Sequence, residues 1–190
     1  MRRKYAQDYR LDYKLTPRGN LKGDPVYCGK RFRYRLSEDG LRRLQTEIGI
    51  LSGASLLVLF AMLLNTHVLD RDFRPIAIPI GFCSLPTVLL LIAWYTFRTA
   101  EPPLTRQQND WVTAQIPIST LFQLILSALS LIGLVLQMIL RGFALSWLLL
   151  SFGALLLVLI SIRLMQLSKK IETEEIEQPA QQPEDPAQQE

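Results

Sequence analysis

Four long uncharged apolar segments, separated by short charged connections, make up most of residues 48–162. Four segments contain no charged side chain, at residues 48–68, 75–97, 112–140 and 142–162, and each has at least 21 residues. About 20 residues of α-helix cross the hydrocarbon core of a bilayer. The pattern predicts an all-α integral membrane protein with four transmembrane helices in region 38–168, spanning about 48–68, 75–97, 116–140 and 142–163.

The polar region before the first span has a different period. Apolar or aromatic residues alternate with charged or polar ones over residues 9–16 and again over 31–36. Strict alternation is typical of β-strands, and the Pro- and Gly-rich segment between the two runs is typical of turns. Region 1–37 is therefore predicted to be a basic cytoplasmic β-hairpin, with residues 8–16 paired to 26–36. A lone hairpin is marginally stable in water, so its aromatic face needs a cover: the membrane surface, the rest of the protein or another chain.

Two helix starts are visible in the sequence. Ser37 precedes two acidic residues and can cap a helix that runs from about residue 38 into the first span. Thr105 and Gln108 have the spacing of a capping box.

Basic residues are distributed unevenly, and this predicts the topology. Of the 21 Lys and Arg, 13 lie in residues 1–47, before the first span. The positive-inside rule then orients the chain with both termini in the cytoplasm, most simply in the plasma (cell) membrane. Because the first apolar run begins after 47 residues, we expect no cleavable signal peptide, and the first helix serves as the insertion signal.

The two ends of the chain have opposite charge. Residues 171–190 contain seven acidic and no basic side chains and are rich in Pro and Gln, so region 169–190 is predicted to be a disordered acidic tail. The candidates for binding lipid headgroups or an acidic partner are the arginines Arg31, Arg33, Arg35, Arg42 and Arg43. A plainer interpretation is that they only obey the topology rule and solvate a strand. We expect no nucleic-acid partner, because no nucleic-acid-binding motif accompanies the charge.

Polar residues recur on one face of the third span. They are Thr120, Gln123, Ser127, Ser130 and Gln137, at steps of 3, 4, 3 and 7. This seam can hold helices together or line a path for a solute. The pattern favours helix contact, with a second chain as the candidate for its missing partner, because none of the groups ionises and no other span has an equal stripe.

Two further patterns concern helix packing and shape. Gly49 and Gly53 form a GxxxG motif, which lets a second helix approach closely. Pro79 and Pro86 each remove one backbone donor from the second span, which predicts a kink there or, less simply, a hinge.

The missing residue types restrict the function. No Asp, Glu, Lys, Arg or His lies well inside a span, the single histidine His67 is at the end of the first, and the two cysteines form no metal or redox motif. We therefore expect no enzyme, no cofactor and no metal site. The sequence favours an accessory or scaffold subunit that binds a membrane partner or itself. The alternative is a small oligomeric transporter or channel for an unidentified solute, with the polar seam of the third span as its path.

Overall fold

The computed structural model describes residues 3–15, 21–66 and 75–176, and helices dominate it. The helices are α1 (Glu38–Asn65), α2 (Ala77–Phe82), α3 (Ser84–Thr99), α4 (Arg106–Arg141) and α5 (Leu145–Ser168). Helices α2 and α3 follow one another directly, so four helical segments are long and apolar enough to cross a membrane. The prediction of a multi-pass membrane protein agrees with this architecture.

The four segments form one bundle. Helix α4 packs against α3 and α5, and α1 packs against α3 and α5. Residues 142–144 are the whole connection between α4 and α5, so these two helices are antiparallel neighbours. Gly142 stands at the turn with φ of 91°, a conformation that a side chain disfavours.

The helix starts are built as the sequence predicts. The Ser37 side chain accepts a hydrogen bond from the Gly40 N–H at 3.3 Å. At the start of α4, the Thr105 hydroxyl accepts from the Gln108 N–H, and the Gln108 side-chain oxygen accepts from the Thr105 N–H at 3.0 Å. Both caps satisfy N–H groups that have no partner within the helix.

The predicted hairpin exists, but its second strand was wrongly placed. Strand β1 (Tyr9–Leu15) pairs antiparallel with β2 (Leu21–Tyr27), not with residues 26–36. Part of the segment rich in turn residues is therefore itself strand, as β2. Pro25 is tolerated there because a two-stranded ribbon consists of edge strands.

The second alternating run joins a separate sheet. Strand β3 (Arg31–Tyr34) lies between β4 (Leu104–Thr105) and β5 (Thr173–Ile176) and is antiparallel to both. We call these three strands the end sheet. Tyr34 is buried and packs edge-on against Phe97 of α3, with ring centroids 5.4 Å apart. The aromatic face of β3 is thus covered by the end of the helix bundle.

The start of the predicted C-terminal tail is also a strand. Region 169–190 was predicted to be disordered, yet Thr173–Ile176 forms strand β5. It is ordered because β3 supplies a strand edge and basic side chains that match its acidic ones. The rest of the predicted tail, residues 177–190, lies outside the described residues.

Candidate functional site

Buried apolar side chains form two separate clusters in the bundle. The sheet-end cluster lies next to the end sheet and includes Tyr34, Ile48, Leu90, Phe97, Ile116 and Leu164. The far-end cluster lies toward the other end and includes Leu59, Ile80, Cys83, Leu134, Leu150 and Leu157. Every spanning segment contributes to both clusters, so each helix passes from one to the other.

Buried polar residues occupy the stretch of each helix between the two clusters. On α1, Ser52 and Ser55 lie between Ile48 and Leu59, and the other helices repeat this order. We call this set the polar layer: Ser52, Ser55, Thr87, Thr120, Gln123, Ser127, Ser130 and Ser161. Each of these residues is at most 1% exposed.

The hydroxyl groups of the polar layer bond to their own helices. Ser52 donates to the Ile48 carbonyl, Thr87 to Cys83 and Ser161 to Leu157, each at 2.7 Å. The α4 hydroxyls do the same, with Thr120 donating to the Ile116 carbonyl at 2.7 Å and Ser127 to Leu124 at 3.1 Å. These bonds satisfy the hydroxyl hydrogens, and the buried hydroxyl oxygens remain able to accept hydrogen bonds.

The two glutamines of the seam differ from the hydroxyl residues. Gln123 and Gln137 are fully buried, and among the described residues neither side-chain amide has a hydrogen-bond partner for its oxygen or its nitrogen. Gln123 belongs to the polar layer, whereas Gln137 lies one turn beyond Leu134 of the far-end cluster. A buried amide without partners costs about 1–3 kcal/mol in proteins, so both positions are energetically unusual.

The predicted seam therefore lies inside the bundle of a single chain. All five of its residues are buried without a second chain, so none is needed to cover them. Sequence reasoning missed the residues facing the seam because they are divided among α1, α3 and α5. The available signal was the pair Ser52 and Ser55, which share a helix face in an otherwise apolar span.

The GxxxG motif divides into two different environments. A Cβ on Gly49 would come within 2.5 Å of the Trp94 ring, whereas a Cβ on Gly53 would meet no atom within 4 Å. The Trp94 ring is held in place because its N–H donates to the Gln45 carbonyl at 2.7 Å. Gly49 thus permits close packing of α1 and α3, and Gly53 does not take part in it.

The second span is interrupted between its two prolines. Helix α2 ends at Phe82 and α3 begins at Ser84, so the break at Cys83 lies between Pro79 and Pro86. The Ser84 hydroxyl donates to the Gly81 carbonyl at 2.7 Å beside this break. Side-chain hydroxyls thus bond the carbonyls around the interruption, as they commonly do in broken membrane helices.

Ion pairs between the two ends of the chain cross the end sheet. Arg33 contacts Glu174 at 2.8 Å, and these two residues are direct partners in the strand register. Arg35 lies 3.5 Å from Glu172 and 3.8 Å from Glu174. Lys30 pairs with Glu175 at 2.9 Å. The acidic groups that Arg33 and Arg35 contact are thus in the chain's own C-terminal segment.

The remaining candidate arginines, Arg31, Arg42 and Arg43, are also exposed. Arg31 shares a face of β3 with Arg33, opposite to the face on which Tyr34 is buried. Arg42 and Arg43 lie in the first turns of α1, before the uncharged segment that begins at Ile48. The five predicted arginines thus divide into three on the outward side of the end sheet and two beside the bundle.

The hairpin of β1 and β2 is attached to the start of α4. The Tyr27 hydroxyl accepts from the Arg106 N–H at 2.8 Å and donates to the Lys30 carbonyl at 2.7 Å, while burial raises the pKa of Tyr27. The Tyr5 hydroxyl donates to Asp110 at 2.9 Å. The hairpin and the end sheet therefore form one assembly around the same end of the bundle.

Metal-binding side chains do not cluster in the part of the chain that the structure describes. In that part, no group of three or more His, Cys, Asp or Glu side chains could hold a metal ion. The two cysteines are free, with Cys28 exposed and Cys83 buried. His67 lies outside the described residues.

Comparison with known proteins gives no relatives. No family model matches the chain, and no significant match is found among curated proteins or among solved structures. A function is therefore inferred from the polar layer, the end sheet and the distribution of charge.

Proposed function

We propose that this chain is an accessory or scaffold protein of the cell membrane that holds a protein partner at its end sheet. The observation that carries the proposal is the convergence of three distant segments into that sheet. Strands from residues 31–34, 104–105 and 173–176 meet there and are fixed to the bundle by buried Tyr34. A rigid charged surface outside the hydrocarbon is suited to recognising a protein.

The distribution of charge supports a cytoplasmic location for the end sheet. The segment before the first span, which includes β3, carries 13 of the 21 basic residues. Strand β5 pairs with β3, so the segments that flank the first and last spans lie at one end of the bundle. With the basic end inside, both termini of the described chain are cytoplasmic.

Anionic lipid is the second ligand that we propose for this end. Arg42 and Arg43 are exposed at the start of α1, and each basic residue near an anionic leaflet contributes about 1 kcal/mol of attraction. Arg33 and Arg35 are already paired with Glu174 and Glu172, and they lie on the side of β3 away from the bundle. We therefore propose that Arg42 and Arg43 bind the lipid.

The bundle interior supports binding rather than solute passage. The polar layer is bounded on one side by the sheet-end cluster and on the other by the far-end cluster. A solute would have to cross both clusters, and desolvating polar groups in an apolar environment is costly. We accordingly propose neither a pore nor a catalytic step for the single chain.

Affinity purification from native membranes in mild detergent tests the proposal. The wild-type chain should retain a partner that is lost or reduced at least tenfold when Arg31 and Arg33 are both replaced by Glu. The matched control replaces Arg42 and Arg43 by Glu, which changes the charge equally but leaves the end sheet intact. We expect the control to retain the protein partner and to bind anionic vesicles less well.

Two results would contradict the scaffold proposal. One is equal recovery of every co-purifying protein with both charge variants. The other is solute flux across liposomes that contain only this protein, which would establish transport in its place. A second, differently tagged copy recovered with the wild type would identify the partner as the chain itself.

A further inference from the structure

The Gln123 side chain is the least satisfied group in the polar layer. It is fully buried in the middle of the bundle, and no residue in the described ranges bonds to its amide oxygen or its amide nitrogen. Nearly all buried polar groups in proteins are hydrogen-bonded, to protein atoms or to ordered water. A side chain with two unused amide hydrogens and an unused carbonyl oxygen at this depth points to a bound molecule.

The neighbouring hydroxyls define what that molecule must offer. Ser52, Thr87, Thr120, Ser127 and Ser161 give their hydrogens to carbonyls of their own helices, and their oxygens remain able to accept. Gln123 adds two amide hydrogens and one carbonyl oxygen. The polar layer can therefore bind a molecule that both donates and accepts hydrogen bonds.

The layer also restricts the charge of its ligand. No polar-layer residue ionises, so no counter-charge is present for an ion in this low-dielectric interior. The apolar clusters on both sides separate the layer from water at either end. A small neutral molecule fits these conditions, and a charged one does not.

We propose that the polar layer is an internal binding site for small neutral hydrogen-bonding molecules, of which water is the simplest. Gln123 is its principal contact, through the amide nitrogen and oxygen, and the surrounding hydroxyl oxygens accept from the bound molecule. A buried water typically makes about three hydrogen bonds to otherwise unsatisfied groups, which the layer can supply. The site is independent of the partner surface proposed above, since it lies inside the bundle.

Water-edited solid-state NMR on the full chain in lipid bilayers tests this site directly, with water as the probe. The signal of the Gln123 side-chain amide is assigned by its absence in Gln123→Met. Magnetisation transferred from water should build up rapidly in this signal. The backbone amide of Leu134 in the far-end cluster serves as the dry reference. The proposal is overturned if the Gln123 signal grows no faster than that of Leu134.

Thermal unfolding of Gln123→Met in detergent gives a second, independent result. Methionine has nearly the same length and flexibility as glutamine, so shape is preserved while the hydrogen bonds are removed. If the amide holds a bound molecule, the unfolding midpoint falls by a few degrees. A rise in the midpoint would mean that the amide is dry and unpaired, and would overturn the site.

Discussion

Single residues at helix contacts determine how closely the helices approach one another. Gly49 is the clearest case, because the Trp94 ring occupies the place where a Cβ would stand. Its companion Gly53 has the same spacing in the sequence motif but open space around it. A motif defined by spacing alone therefore overstates the packing role of one of its two glycines.

Substitution of these glycines should separate the two roles. Gly49→Ala should destabilise the bundle by about 1–3 kcal/mol, the usual cost of overpacking, because Trp94 must move and lose its bond to Gln45. Gly53→Ala is the matched control and should be neutral or slightly stabilising. Thermal unfolding in detergent measures both, and equal destabilisation would contradict the contact with Trp94.

The secondary-structure elements show which parts of the fold the sequence can predict. The four spanning segments and the caps at Ser37 and Thr105 follow from patterns within a few neighbouring residues, and all are present. The alternation over residues 31–36 correctly predicts a strand. It could not identify the partners of that strand, because they lie at residues 104–105 and 173–176.

The same limit applies to the candidate site. The spacing of three and four residues predicts that Thr120, Gln123 and Ser127 share one face of a helix. Whether this face meets lipid, a second chain or the chain's own helices depends on tertiary packing. The structure buries the face in the bundle, where hydroxyls from α1, α3 and α5 lie at the same level.

Charge exchange tests the pairing of β3 with β5. Glu174→Arg should place like charges beside Arg33 and Arg35, so backbone amides at residues 173–176 should exchange hydrogen at least several-fold faster. Adding Arg33→Glu should restore slow exchange. Each exposed pair contributes only about 0.2–1 kcal/mol, so added salt should also accelerate exchange in the wild type.

Hydrogen-exchange mass spectrometry measures this effect. Glu101→Arg, at an exposed position before β4, is the matched control and should leave exchange at residues 173–176 unchanged. Two results would show that the ion pairs do not support the strand. One is unchanged exchange in Glu174→Arg, and the other is exchange that is faster in the double variant Glu174→Arg/Arg33→Glu than in Glu174→Arg.

At the scale of the whole molecule, one end of the bundle differs sharply from the other. The end sheet, the hairpin and most of the basic residues are at one end, while the opposite end includes the short connection 142–144. We propose that the charged end lies in the cytoplasm, where it can bind both a protein partner and anionic lipid. The side of the membrane can be tested with the native cysteines.

A membrane-impermeant maleimide should label Cys28 only after intact cells are permeabilised. Cys28 is exposed and belongs to the proposed cytoplasmic end, whereas Cys83 is buried in the bundle. The matched control is Phe143→Cys in a Cys28→Ser chain, because residue 143 is 72% exposed in the opposite connection. The control should be labelled in intact cells. Labelling of Cys28 but not of residue 143 in intact cells would show that the topology is the opposite of the proposed one.

The proposed partner surface depends on the pairing of β3 with β5 in the end sheet, and a cross-strand disulfide reports on that pairing. Arg33 and Glu174 are register partners on exposed antiparallel strands, where Cα atoms are about 4.5–5.5 Å apart, within the range that a disulfide requires. The measurement is oxidation of Arg33→Cys/Glu174→Cys in a Cys28→Ser chain in native membranes, followed by mass analysis. The off-register pair Arg31→Cys/Glu174→Cys is the control.

We predict an intramolecular disulfide between residues 33 and 174 in most molecules, with little in the control. Such a bond requires that the segments before the first span and after the last lie side by side. Absence of the bond, or its formation only between two chains, would contradict the end sheet as a feature of the single molecule.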